Sequence, residues 1–133
     1  IQNWNGTKTG YYVAKFVDRD INPSTEQAYN SWPFIRYAEI LLNKAEAAAN
    51  LGNMNMALDA MNKVRQRVGM PPVEMSDVSG KEELLEEIRQ EREVELAYEE
   101  HRYFDIRRWK IAPEILSESG KGIRITGELD ADG

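Results

Sequence analysis

The groups in this chain that could do chemistry crowd into one stretch. Glu91, Arg92, Glu95, Glu99, Glu100, His101, Arg102, Asp105, Arg107 and Arg108 follow one another within a few helical turns. With Ile88 at the centre of a helix's apolar face, Leu84, Leu85 and Leu96 share a side with Glu91, Arg92, Glu95 and Glu99. Glu95 falls within about 20° of that centre. A carboxylate so placed either marks an exposed helix end or is buried against an arginine that offsets its desolvation. Arg36, Arg102, Arg107 and Arg108 are the candidate partners, and a structural ion-pair network is the favoured reading. A catalytic carboxylate pair would give the same pattern, but it also needs a cleft, which nothing else in the sequence indicates. Glu83, about 220° round from Ile88, is expected to be solvated and energetically silent.

His101 with Glu99, Glu100 and Asp105 could be drawn as a metal site. One imidazole among clustered acids lacks the usual second histidine, so solvated acids are the better reading. Tyr103, Phe104 and Trp109 could stack on a sugar ring, but at helical spacing they read as core. Trp4, Tyr11, Tyr12 and Trp32 are better ligand candidates, although Trp32 before Pro33 also suits a staple at a helix start. No catalytic residue, metal ligand or cofactor is assigned, and the ligand-binding residues remain unknown.

Composition narrows the function classes. The chain has 133 residues, 41% apolar and 30% charged, with no cysteine and a net charge of −6. That excludes a disulfide scaffold and a thiolate metal site, and disfavours general affinity for nucleic acid or anionic lipid. No run approaches the roughly 18 apolar residues that span a bilayer, and residues 1–10 lack the pattern of a signal peptide. A binding or scaffolding role therefore leads.

The elements that must position these groups are mostly helices. Tyr11 to Val17 alternates as a short strand, followed by a loop, so residues 1–32 read as strand and loop. Residues 33–112 read as a helical region. Pro33 opens a helix over 33–51 that Gly52 stops; Asn53 caps a second over 53–68, ended by Gly69 and Pro71-Pro72. Ser79 and Glu82 form a capping box before a third helix over 80–99, and a fourth spans 102–110. Residues 113–133 read as an irregular tail with one possible strand at 122–127. On the first helix only Arg36, Glu39, Asn43, Glu46 and Asn50 make a polar stripe. About two thirds of its circumference, including Phe34, Ile35, Tyr37, Ile40 and Leu51, therefore needs covering, as in an array of helices. The hairpin from Phe34 to Arg67 has the length of a tetratricopeptide unit, but no second copy is present. An ordinary two-helix hairpin fits the periodicity equally well.

Three stretches carry a family resemblance: Arg36-Tyr37-Ala38-Glu39-Ile40-Leu41-Leu42 with Ala45-Glu46-Ala47; Asn62-Lys63-Val64-Arg65-Gln66-Arg67-Val68-Gly69; and Glu91 to Glu99 running into His101-Arg102-Tyr103-Phe104-Asp105-Ile106-Arg107-Arg108-Trp109. In order and spacing they resemble the C-terminal part of the RagB/SusD family of surface nutrient-binding lipoproteins. Gly10 to Phe16 resembles the strand that precedes these helices in that family. The resemblance implies a mainly α, tetratricopeptide-like (SusD-like) array with short peripheral strands. It further implies non-enzymatic capture of an oligosaccharide or other nutrient at the outer membrane, and delivery to a SusC-like TonB-dependent transporter. Glu100 stands where the family usually has a small residue. The family's long N-terminal portion and lipid-bearing cysteine are not in this chain, so it is expected to be a fragment, and no binding residue is carried over. An intracellular helical-repeat adaptor, which would need further copies of the hairpin, and a carboxylate hydrolase are the alternatives.

Overall fold

The computed structural model describes residues 13–18, 20–22 and 31–117. The chain divides into two compact units, one of them Trp32–Lys110 and the other made of the flanking residues. In order, the elements are α1 (Tyr37–Asn50), α2 (Met54–Arg67), a 3-10 turn (Met75–Asp77), α3 (Lys81–Glu95), α4 (His101–Arg108) and α5 (Ala112–Ser117).

Small residues set the packing of α1 on α2. Ala38, Ala45, Ala48 and Ala49 alternate with Leu41 and Leu42 on one side of α1, and all six are buried. They meet Ala57, Leu58, Ala60, Met61 and Val64 of α2 in one apolar cluster. Side chains this short let two helix backbones approach closely, so the α1–α2 hairpin is the core of the unit. As the periodicity implies, α1 contributes the most buried residues of any helix. The connection is a Schellman turn: Gly52 has φ +80°, its N–H reaches Ala49 O at 3.0 Å, and Asn53 N–H reaches Ala48 O at 2.9 Å. The Asn53 side chain then accepts from Met56 N–H, capping α2. Gly69 closes α2 in the same way.

Beyond α2 the chain is pinned by a side chain that imitates a strand. The Asn62 amide exchanges two 2.9 Å hydrogen bonds with the backbone of Val73, whose own side chain is thereby held in the core. Leu84 and Ile88 of α3, both fully buried, complete the cluster. Lys81 donates to Asn50 O at 3.0 Å, tying the start of α3 to the last carbonyls of α1.

Several boundaries differ from the sequence reading. The first helix begins at Tyr37, not at 33, because Arg36 is extended at φ −120°, ψ 151° and serves as the N-cap. The third helix stops at Glu95 and not at 99, since Tyr98 and Glu100 adopt left-handed φ of 65° and 67°, which breaks the helix without glycine or proline. The expected Ser79–Glu82 capping box does not form: Gly80 is the N-cap of α3 and has no side-chain cap, while Ser79 before it donates N–H and Oγ to Glu83 at 2.6 Å. Glu83 is exposed, as expected, and its hydrogen bonds from Ser79 lower the pKa of its carboxyl. Phe34, Ile35, Tyr37, Ile40 and Leu51, expected under cover, are exposed, because among the described residues no helix lies on that face.

In the second unit the expected strand through Val13–Val17 is a turn, in which Val17 N–H reaches Ala14 O. Among the described residues no strand forms, and alternation alone does not hold a strand that has no ladder partner. Residues 113–117, read as irregular, belong to α5. Pro113 sits in its first turn, where the missing N–H costs nothing, whereas α4 has already ended at Arg108 with Lys110 left-handed at φ 61°. Tyr11, Tyr12, Trp4 and the possible strand at 122–127 lie outside the described residues.

Candidate functional site

The concentration of charge predicted from the sequence is a network that ties α1, α2, α3 and α4 together. Arg36 is the hinge of one half. Its Nε and Nη2 grip both oxygens of Glu99 at 2.7 Å, Nη2 also donates to Glu95 O at 3.0 Å, and Nη1 lies 2.9 Å from the Glu95 carboxylate. Glu95 is nearly buried, as expected, and receives a second guanidinium from Arg67 at 2.8 Å. The fork from Glu99 and the contact with Glu95 hold the Arg36 pKa above its ordinary value against the opposing effect of burial. The left-handed turn between α3 and α4 places Glu99 there.

The other half runs from α3 through α4 back to α1. Arg92 Nε donates to Asp105 at 2.7 Å, and Arg92 Nη1 to Asn43 at 2.7 Å. Asp105 takes a second donor, Arg108 Nε at 2.8 Å, and Arg108 forks onto Glu46, whose carboxylate also accepts from Trp109 Nε1 at 2.8 Å. Burial pushes the Glu46 carboxyl upward, and the hydrogen bonds from Arg108 and Trp109 outweigh it, leaving its pKa below the usual value. The indole ring of Trp109 has Arg108 and Arg89 over it, at 4.6 Å and 5.2 Å from its centroid. Arg65 joins α2 to α3 through Glu91 at 2.8 Å and holds the loop through Pro71 O.

Of the four arginines proposed for Glu95, the structure selects Arg36. Arg102 pairs with Glu93, Arg107 stacks on the Tyr103 ring at 3.5 Å, and Arg108 serves Glu46 and Asp105. Arg67, Asp105 and Asn43 were missed. Only the packing of α1, α2 and α4 against α3 brings them near, although Arg67 and Asp105 both stand in the motif stretches. Tyr103 and Phe104 are not core: they form an edge-to-face pair at 5.2 Å and are 57% and 65% exposed. Trp32 is exposed too. His101 lies 3.8 Å from Glu39, and among the described residues no group of three acids, histidines or cysteines could hold a metal. Chemically the network is saturated. Glu46, Glu95, Glu99 and Asp105 each face guanidinium donors, an arrangement that holds helices in register and offers no free base to a substrate.

A shallow groove of about 540 Å³ lies between the start of α1 and the end of α2, lined by Arg36, Tyr37, Ala38, Leu41, Lys63, Val64 and Arg67. Among the described residues no helix is long and apolar enough to cross a membrane.

Comparison with known proteins follows the same helices. Residues 2–128 match the SusD family. The chain belongs to that family. SusD-like proteins P2 and P38 of Formosa agariphila are 34% identical over 105 residues and 31% over 110, covering 74% and 78% of this chain. A crystal structure of a SusD-like protein from Bacteroides fragilis aligns with a TM-score of 0.73 at 46% identity over 82% of the chain. The chain spans about a fifth of the length of these relatives, 21% and 22% of the Formosa proteins and 21% of the Bacteroides one. The mainly helical, SusD-like fold expected from the motif stretches is therefore the fold observed.

Proposed function

We propose that residues 1–133 are the C-terminal part of a SusD-like domain in a cell-surface lipoprotein of the outer membrane. The whole protein captures a glycan or another nutrient and passes it to a SusC-like TonB-dependent transporter. The observation that carries this reading is the SusD-family match across residues 2–128, supported by the shared helical scaffold. The ion network supports a non-enzymatic role: its carboxylates are occupied by arginines, and the part they play is to fix helices. The net charge of −6 supports a ligand that is not a nucleic acid.

The test is fractionation of the native protein that contains this chain. It is expected in the outer-membrane fraction, and after detergent extraction it should co-purify with a β-barrel transporter. Recovery from the cytoplasm with soluble partners would overturn the reading in favour of a helical-repeat adaptor.

A further inference from the structure

The segment Leu96-Ala97-Tyr98-Glu99-Glu100-His101-Arg102 contains no glycine and no proline, and most of its residues are good helix formers. Local preference alone would carry α3 straight into α4. Yet α3 stops at Glu95, and the chain passes through left-handed Tyr98 at φ 65° and Glu100 at φ 67° before α4 begins at His101. Two large side chains so close together in that region are strained, and such strain persists only where the surroundings over-determine it.

The residue that imposes the turn stands before α1. In a continuing helix the Glu95 carbonyl would accept from the N–H of Glu99. Here Glu99 N–H turns to Leu96 O at 3.1 Å, and the Glu95 carbonyl accepts from Arg36 Nη2 at 3.0 Å instead. The same guanidinium grips both oxygens of the Glu99 side chain at 2.7 Å. Arg36 thus takes the acceptor that a longer α3 would use, and it holds Glu99 by its carboxylate in a place reached only through the turn. The Glu99 side chain is 4% exposed, so water cannot stand in for the arginine. Arg36 is itself fixed as the N-cap of α1, which anchors the clamp to the helical hairpin. We propose that Arg36 is the positioning residue that stops α3 and holds the left-handed turn, a latch set from α1 on the direction in which α4 leaves. That direction turns Asp105 and Ile106 inward and leaves Tyr103 and Phe104 exposed. With the latch released, the turn relaxes and α4 loses its seat on α1 and α3.

Hydrogen–deuterium exchange of the intact protein that contains this chain is the test. Arg36→Gln should lower the protection of residues 96–104 at least about tenfold and leave the α1–α2 core, residues 41–64, unchanged. Adding Tyr98→Gly and Glu100→Gly should restore that protection, because glycine enters the left-handed region without strain and no longer needs the clamp. A guanidinium acting only as an ion-pair partner gives the reverse, since the glycines would then loosen the segment further. Where Arg36→Gln alone does not fold, a folded triple variant supports the latch and an unfolded one overturns it. Protection unchanged in Arg36→Gln would show that the seating of α4 holds the turn. Glycines that fail to restore protection would show that Arg36 does not hold the strain. Either result overturns the proposal.

Discussion

Arg92 Nε lies 2.7 Å from the Asp105 carboxylate, and the two side chains are only 5% and 6% exposed. This pair fastens α4 to α3 where water is nearly excluded, so each charge depends on the other. Asp105→Ala should cost about 3–5 kcal/mol, because it strands a buried guanidinium and releases Arg108 as well. The double variant Arg92→Met, Asp105→Leu should recover much of that loss, since the helices would then meet through apolar contact. Urea denaturation of the three proteins measures both effects; a loss below about 1 kcal/mol in the single variant would show the pair to be solvated.

The two glutamates on Arg36 should differ in cost. Glu99 takes the two-pronged grip, whereas Glu95 shares its carboxylate between Arg36 and the exposed Arg67. Glu95→Ala leaves Arg36 still held by Glu99, so its cost should be about 1–3 kcal/mol, and Glu99→Ala should cost more. Glu82→Ala, on the exposed first turn of α3, should change stability by under about 0.5 kcal/mol. Thermal melts that rank Glu82 with Glu95 would remove Glu95 from the network.

A catalytic role for the same carboxylates has its own test. Incubation of the chain with oligosaccharides should yield no new reducing ends, since Glu95 and Glu99 are occupied by guanidinium groups at 2.7–2.9 Å. Reproducible cleavage that Glu95→Gln abolishes would make the carboxylate pair catalytic.

The glycines separate strain from space. Gly52 at φ +80° and Gly80, which is extended, both have open room where a Cβ would stand. Gly52→Ala should therefore cost about 1 kcal/mol from backbone conformation alone, and Gly80→Ala under about 0.5 kcal/mol. Equal melting temperatures for the two variants would contradict the Schellman turn.

Much of this was legible because it is local. Gly52, Asn53 and Gly69 announce the ends of α1 and α2, and the alanine rhythm of α1 announces a close-packed hairpin. The position of Glu95 on an apolar face announced a buried carboxylate. What could not be read depends on tertiary placement. Arg67 reaches Glu95 only because α2 lies beside α3, and Asp105 meets Arg92 only because the chain turns at Tyr98 and Glu100. No glycine marks that left-handed turn, so helical periodicity carried the third helix too far. Tyr103 and Phe104 show the opposite failure: their spacing resembles a core stripe, yet the described fold leaves them in the open.

Glu46 should make the link between α1 and α4 sensitive to acid. In the folded chain Arg108 and Trp109 hold its carboxyl below the ordinary range in spite of burial. The unfolded chain therefore binds this proton more readily than the folded one. Stability from Glu46 is fully present above the ordinary carboxylate value of about 4.3 and is lost as pH falls through the lower folded value. Glu46→Gln keeps an acceptor for Trp109 but cannot ionise. Its stability deficit should accordingly be constant from about pH 7 to pH 5 and shrink below about pH 4. Melting temperatures of both proteins across that range decide it: parallel curves down to the acid limit would mean that Glu46 is not held in its charged form by Arg108.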